Sequence, residues 1–179
     1  TATDYRGNTI NSSSIVASHK VTLYYIWASW CSFSKAFHPT VSSIYQRYKN
    51  HSLEIIGLCS DGTENPVDAA NTIESNNMEW PTLMSNPGGI SYSGFPTIMA
   101  FDETGKLIFH SSVTSRDLLP EFLKGILGEG DLPYESSDYS EDGKVYTLQK
   151  ASKGNGINVV LMGDAFSDRQ VADGDRKST

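Results

Sequence analysis

Residues 27–35 read WASWCSFSK and follow directly on an apolar run, residues 21–26. The run predicts a buried strand, and the apolar spacing after Cys31 predicts a helix, so the cysteine is expected in the first turn of that helix. A helix N-terminus carries partial positive charge and unpaired N–H groups, which stabilise a thiolate over a thiol. This stretch therefore predicts a reactive cysteine, whereas a lone cysteine elsewhere is usually a small buried hydrophobe.

The position three residues beyond Cys31 holds a serine, Ser34, where a dithiol redox centre needs a second cysteine. We expect Ser34 to cap the helix or to donate a hydrogen bond to the Cys31 sulfur. The only other cysteine of the sequence, Cys59, ends a second predicted strand. The spacing of the two cysteines is typical of neither a disulfide framework nor a zinc knuckle. We expect Cys59 to be packed and inert, with a Cys31–Cys59 disulfide as the alternative.

Composition narrows the class of protein. The chain has 179 residues, of which 38% are hydrophobic, and a formal net charge of −7. That length is enough for one complete core, and that charge argues against nucleic acid or an anionic membrane as the main partner. No apolar run reaches the roughly 18 residues of a membrane span. The four histidines show no metal-ligand spacing, so we expect neither a metal nor a cofactor.

The order of predicted elements is β–α–β–α–β–β–α. The predicted ranges are strands at residues 20–26, 53–59, 96–101 and 106–110, and helices at 32–49, 65–76 and 115–128. A helix joins the first two of these strands, which predicts that they are parallel. Residues 1–19 are polar and are expected to form a loop with one edge strand.

Three segments are expected along the chain: a first domain at residues 1–128, a linker at 129–143, and an extension at 144–179. Residues 129–143 carry six acidic side chains and no Lys or Arg, a composition typical of linkers. Residues 144–148 and 157–162 predict two short strands beyond it.

Several motifs resemble the thioredoxin superfamily. They are the WASWC sequence at residues 27–31, Pro39 eight residues after the cysteine, and Gly94-Phe95-Pro96-Thr97 at the start of the third strand, which is similar to the cis-proline loop of that superfamily. The Trp80-Pro81 loop and the hairpin turn at 102–105 resemble its bacterial extracytoplasmic thiol–disulfide oxidoreductases. The resemblance covers roughly residues 5–127. It implies an α/β fold, a three-layer α/β/α sandwich with a mixed central sheet, to which the C-terminal extension adds β structure.

The resemblance also implies roles for single residues. Cys31 is implied as the attacking thiol, with Ser34 at the position of the resolving cysteine. Pro96, if cis, is implied to pack beside Cys31, and the backbone of Phe95 to pair with an extended substrate. Trp30 and Thr97 complete the implied substrate-binding set.

Two departures from the family pattern define the expected chemistry. Ser34 cannot release a mixed disulfide as a thiolate does. Tyr25 stands where the family has a buried acidic residue, and a phenol with a pKa near 10 is a poor proton acceptor at neutral pH. His38 is expected to be a surface or packing residue, with a proton shuttle as the alternative.

These departures predict monothiol exchange through Cys31. Its partners would be thiol- or disulfide-containing clients and an external thiol reductant. We expect the protein outside the cytoplasm, periplasmic or at the cell surface, with an N-terminal signal or anchor removed. The alternative function is a redox-silent binding or docking module.

Residues 155–164 are similar to the opening strand of the IgA-peptidase-like zinc metallopeptidases. The His-Glu-x-x-His pair that makes such a protein a peptidase does not occur in the sequence. Residues 144–179 are therefore expected to be the start of a truncated second domain. The alternative is a hairpin that packs on the first domain.

Overall fold

The computed structural model describes residues 1–111 and 115–131, which lie in a unit at Thr1–Leu132. The elements in chain order are β1 (Ala2–Thr3), β2 (Thr9–Ile10), α1 (Ser12–Ser18), β3 (Val21–Trp27), α2 (Ser32–Tyr48), β4 (Leu53–Cys59), α3 (Pro66–Ser75), β5 (Thr82–Leu83), β6 (Thr97–Phe101), β7 (Leu107–Ser111) and α4 (Leu119–Leu127). A single 3₁₀ turn, Arg116–Leu118, leads into α4.

Five strands form a mixed sheet in the order β5-β4-β3-β6-β7. Strand β4 is parallel to β3 and to β5, while β6 is antiparallel to both β3 and β7. The predicted parallel pairing of the first two long strands is thereby confirmed. Trp27 lies opposite Cys59 in the register, and Ile26 lies opposite Thr97. The ends of β3 and β4 and the start of β6 consequently meet at one edge of the sheet.

Alternating side chains of β3 build a separate core cluster on each face of the sheet. One cluster joins Leu23, Tyr25 and Trp27 to buried residues of α2, α3 and α4. The other contains Ile26 and packs against partly buried residues of α1 and of the loop before β6. Helices on both faces of a mixed sheet form the expected three-layer α/β/α sandwich.

The N-terminal segment differs from its prediction. A loop with one edge strand was expected at residues 1–19, but the structure has two short paired strands, β1 and β2, followed by helix α1. The physical reason is a cap: the Asn11 side chain accepts hydrogen bonds from the N–H groups of Ser13 and Ser14. Such a cap satisfies donors that the first turn of a helix leaves free. Ile15 then packs on the second core cluster rather than in a sheet.

Strand β5 was also missed, because it has only two residues. It pairs with Gly57 and Leu58 of β4 and extends the sheet by one short edge strand.

The residues after α4 are attached to the C-terminal end of α2. Tyr48 donates its hydroxyl hydrogen to Gly128 O at 3.1 Å, and Arg47 forms an ion pair with Glu129 at 3.0 Å. His51 Nε2 lies 2.8 Å from Asp131 Oδ1. Residues 132–143 of the expected linker and the expected extension at 144–179 lie outside the described residues.

No helix in the described part of the chain is long and apolar enough to cross a bilayer.

Candidate functional site around Cys31

Cys31 lies between the end of β3 and the start of α2, where it is the N-cap residue. Its backbone carbonyl accepts the first helical hydrogen bond, from Lys35 N at 3.0 Å. The side chain does not cap the helix. Instead, Sγ lies 3.6 Å from the carbonyl oxygen of Phe95, to which the thiol donates a weak hydrogen bond. The residue is 7% exposed.

The segment that faces Cys31 is the turn before β6. The Phe95–Pro96 peptide bond is cis, and Pro96 is buried. Thr97 is also buried and donates its hydroxyl hydrogen to Gly94 O at 2.7 Å. This hydrogen bond closes the turn and holds the Phe95 carbonyl on the side of the sulfur.

An aromatic wall borders the sulfur. Trp30 packs edge-on against Phe95, with their ring centroids 5.8 Å apart. The ring centroids of Phe95 and Tyr92 are 5.1 Å apart. The hydroxyl of Tyr92 lies 2.8 Å from Ser60 Oγ, which ties the wall to the end of β4. Trp30 remains 65% exposed and the nearby Phe33 54% exposed. The rim therefore offers apolar surface beside a recessed thiol.

Ser34 does not make either of its expected contacts. Its side chain is fully buried, and Oγ has no hydrogen-bond partner among the described residues. It neither caps α2 nor donates to Cys31 Sγ. The reason is helix direction, since a residue three positions after the N-cap already faces the core.

Beneath the site lies a buried pair, Tyr25 and His38. The tyrosine hydroxyl is 2.8 Å from His38 Nδ1, and both residues are about 1% exposed. Burial, assisted by the charge of Lys35, lowers the pKa of His38 to about 4, and burial raises the pKa of Tyr25 well above its ordinary value. Both groups are therefore neutral at pH 7. His38 is a packing residue, as expected. Its ring also lies edge-on to Trp27, with the ring centroids 5.1 Å apart.

Cys59 is fully buried, and both cysteines are free thiols. The alternative of a Cys31–Cys59 disulfide is thus wrong. Burial first, and then the charge of Asp61, raise the pKa of Cys59 to about 12. The thiol donates to Asp61 Oδ1 at 3.4 Å. Cys59 consequently stays protonated and out of reach.

The sequence did not point to Asp61, because only a turn was predicted at its position. Its buried carboxylate accepts hydrogen bonds from the backbone and the hydroxyl of Ser29, two residues before Cys31. Burial alone raises the pKa of Asp61, but hydrogen bonds from Ser29, Cys59 and Asn65 outweigh it, so the net pKa is lowered. The available signal was an acidic residue just past the end of a strand that neighbours the Cys31 strand.

Within residues 1–111 and 115–131, no three His, Cys, Asp or Glu side chains come together in a way that suits a metal ion.

Comparison with known proteins agrees with this geometry. Residues 19–85 match the thioredoxin-like family model. The thiol-disulfide oxidoreductase ResA of Bacillus thuringiensis subsp. konkukian is 28% identical over 105 residues, which are 56% of this chain and 60% of the relative. ResA of Oceanobacillus iheyensis is 43% identical over 42 residues, 24% of this chain and 22% of the relative. The matched region therefore spans less than two thirds of these relatives.

Solved structures of low sequence identity share the fold. The thioredoxin domain of a thiol-disulfide oxidoreductase from Bacteroides vulgatus has a TM-score of 0.57 at 22% identity, covering 69% of this chain and 90% of that domain. A secreted disulfide oxidoreductase from Mycobacterium tuberculosis has a TM-score of 0.56 at 16% identity. The match covers 69% of this chain and 93% of that protein. The mixed sheet, the cysteine at the N-cap of α2 and these matches show that the unit at Thr1–Leu132 has a thioredoxin-like fold, and its sequence is similar to that of thiol–disulfide oxidoreductases.

Proposed function

We propose that this protein carries out monothiol thiol–disulfide exchange through Cys31, outside the cytoplasm. The observation that carries the proposal is the position of the sulfur, at the N-cap of α2 and 3.6 Å from the Phe95 carbonyl of the turn that contains Pro96. A thiolate placed there is stabilised by the helix N-terminus, and the adjacent turn offers a carbonyl to an extended client.

The proposed reaction has two steps that balance. In the first, the Cys31 thiolate attacks one sulfur of a client disulfide, so that a Cys31–client mixed disulfide forms and the other client sulfur leaves as a thiolate. In the second, the thiolate of an external small thiol attacks the client sulfur of the mixed disulfide. Cys31 leaves as a thiolate, and the client carries a disulfide to the small thiol.

The second step is assigned to an external thiol because neither candidate inside the domain supports it. Ser34 has an alcohol instead of a thiol, and its side chain is buried. Cys59 is buried, protonated and engaged with Asp61. A mixed disulfide on Cys31 should therefore persist until a thiol is added.

The location outside the cytoplasm is supported by the relatives. The structurally similar protein from M. tuberculosis is described as secreted, and the ResA proteins are thiol-disulfide oxidoreductases. Stable client disulfides, the substrates of the proposed reaction, belong to oxidising compartments.

A second candidate function is a binding module without redox chemistry. It is favoured by one observation, the contrast between a 7% exposed Cys31 and the exposed Trp30 and Phe33 at its rim. Such a surface can hold a client without attacking it.

The deciding experiment compares the wild-type chain with Cys31→Ser and Cys59→Ala. Each is incubated with a peptide that contains one disulfide, and mixed disulfides are detected by intact mass. We expect an adduct on the wild-type chain and on Cys59→Ala, but none on Cys31→Ser, and release of the adduct only after glutathione is added. Binding of the peptide that survives Cys31→Ser, without any adduct on the wild-type chain, would instead establish the binding module.

A further inference from the structure

A buried carboxylate at the end of β4 holds the loop that carries Cys31. Asp61 is 4% exposed and Ser29 is 5% exposed. Ser29 donates its backbone N–H to Asp61 Oδ1 at 2.8 Å and its hydroxyl hydrogen to Oδ2 at 2.5 Å. Each carboxylate oxygen thus accepts a hydrogen bond from the same residue, Ser29, which lies two positions before Cys31.

Asp61 is itself fixed from the opposite side. Asn65 donates its side-chain amide to Oδ2 at 3.2 Å, and Cys59 donates its thiol to Oδ1 at 3.4 Å. The backbone carbonyl of Asp61 accepts from Glu64 N and Asn65 N at the entry to α3. Asp61 is therefore a fixed anchor, because two groups besides Ser29 hold its carboxylate and two more hold its backbone carbonyl.

The loop between β3 and α2 has little freedom once Ser29 is held. Ser60 N donates to Trp27 O at 2.8 Å at its start, and Cys31 N donates to Ala28 O at 3.1 Å at its end. Trp30, the residue between Ser29 and Cys31, rests on the Phe95 ring. The position of Ser29 therefore sets both the aromatic wall and the place of the sulfur beside Phe95.

We propose that Asp61 is a positioning residue for exchange at Cys31, acting through Ser29 to hold the sulfur in line with a client disulfide. This inference rests on the proposed exchange function. Attack on a disulfide places three sulfur atoms in one reacting unit, so its rate depends on how the attacking sulfur is oriented as well as on whether it is accessible. Asp61 does not touch the reacting atoms, and its contribution lies in orientation alone.

The substitution Asp61→Asn tests the anchor while it preserves the size of the side chain. One amide oxygen can still accept the Ser29 N–H, but the amide nitrogen cannot accept the Ser29 hydroxyl hydrogen and faces the donor of Asn65. Ser29→Ala removes the same hydroxyl from the other partner. If Asp61 and Ser29 act as a coupled pair, the exchange rate of the double variant should fall hardly further than that of Asp61→Asn alone.

A matched control lies in the hairpin turn between β6 and β7. Asp102 Oδ1 accepts backbone N–H groups of Thr104 and Lys106 at 3.0 Å and the Thr104 hydroxyl at 2.6 Å. Asp102→Asn therefore makes the same change from carboxylate to amide in a turn at the other end of β6, where one remaining oxygen can still accept all three hydrogen bonds. It should leave the chemistry of Cys31 unchanged.

Two rates are measured on the full chain for each variant: exchange with the disulfide-containing peptide, and alkylation of Cys31 by iodoacetamide. We expect Asp61→Asn and Ser29→Ala to slow exchange by roughly tenfold or more, since a small misplacement of a reacting group has effects of that order. Alkylation needs access but no alignment with a disulfide, so it should change by less than about threefold, within the range of a small energetic perturbation. Circular dichroism confirms that each variant is folded.

The proposal is overturned if exchange is unchanged in both folded variants, or if exchange and alkylation fall by the same factor, which is the result of a merely structural role. Should Asp61→Asn fail to fold, Ser29→Ala decides alone. The failures are distinguishable: if Cys31→Ser forms the adduct as well as the wild-type chain does, the proposed function itself fails. If Cys31 is required but Asp61→Asn exchanges normally, only the positioning role is lost.

Discussion

At the scale of single residues, the two thiols of this chain have different hydrogen-bond partners and lie in different parts of the fold. Cys31 lies at a helix N-cap with its sulfur at the edge of the site, while Cys59 is buried in the core and donates to Asp61. Burial and the charge of Asp61 raise the pKa of Cys59 to about 12. The surroundings of a thiol decide which of its two forms is stable, so two cysteines of one domain can differ in chemistry.

This contrast predicts selective alkylation. Iodoacetamide at pH 8 should modify Cys31 in the folded protein and spare Cys59, because a buried thiol with so high a pKa presents almost no thiolate. Peptide mapping by mass spectrometry measures the two sites separately. Modification of both should occur only after denaturation, and rapid labelling of Cys59 in the native protein would contradict the assignment.

A second prediction concerns Ser34→Cys, which restores a thiol at the position of the resolving cysteine. We expect this variant to release client from its own mixed disulfide, so that turnover no longer requires glutathione. Ser34→Ala is the control, and it should behave as the wild-type chain does, because Ser34 Oγ makes no hydrogen bond. A folded Ser34→Cys protein that still needs external thiol would show that position 34 lies too deep to resolve the adduct.

The sequence alone predicted that Cys31 lies beside the turn of Phe95 and Pro96, because both segments are short local motifs, and the 3.6 Å distance from Cys31 Sγ to Phe95 O agrees with that placement. The sequence did not identify Asp61. The contact between Ser29 and Asp61 joins residues 32 positions apart, and it depends on the pairing of β3 with β4. Ser34 was identified by its position, but its contacts were predicted wrongly for the same reason, since they depend on which face of α2 is buried.

At the scale of elements, the interface between α2 and β3 contains a histidine where an apolar side chain would be ordinary. His38 hydrogen-bonds to Tyr25 within this interface. Neutral imidazole is compatible with burial and imidazolium is not, so the interface depends on the histidine remaining unprotonated.

That dependence predicts how stability varies with acidity. The unfolded chain protonates His38 near pH 6.5 and the folded chain only near pH 4. Between these values the unfolded state binds more protons, so the free energy of unfolding should fall as the pH drops from about 6.5 to about 4, by on the order of 3 kcal/mol. Urea denaturation at a series of pH values measures it. The dependence of the free energy of unfolding on pH should weaken in the His38→Gln variant. It should persist in the His110→Gln variant, because the side chain of His110 is exposed on β7.

Elements with long periodic patterns were predicted well, and short ones were not. The ranges for β3, β4, α2 and α3 differ from the structure by a residue or so at their ends. The missed elements, β1, β2, β5 and α1, have two to seven residues. Too few side chains repeat in such segments to show a period, and tertiary contacts decide their form.

At the scale of the whole molecule, residues 128–131 complete the first unit. Gly128, Glu129 and Asp131 all contact the C-terminal end of α2. Asp131 N also donates to Arg47 O at 2.7 Å. These contacts extend the packed domain beyond α4 and past residue 129, where the acidic segment begins.

Two truncations test this boundary. A chain ending at Leu132 should fold and retain whatever exchange the full chain shows, because residues 1–131 contain the five strands of the described sheet and the site around Cys31. A chain ending at Leu127 should be less stable by about 1–2 kcal/mol, since it loses the hydrogen bonds from Tyr48 to Gly128 O and from Asp131 N to Arg47 O. Thermal unfolding of both proteins gives the difference. Equal stability would show that residues 128–131 contribute no energy to the fold.

Trp30 is the one exposed tryptophan of three, since Trp27 and Trp80 are both fully buried. Its indole lies one residue before Cys31 and packs edge-on against the Phe95 ring. The environment of the two buried indoles stays constant, whereas a client that binds beside Trp30 would displace solvent from its indole. The domain therefore contains an intrinsic fluorophore at the rim of the site around Cys31. The wavelength and intensity of its emission should report binding and release of a client in real time, without any added label.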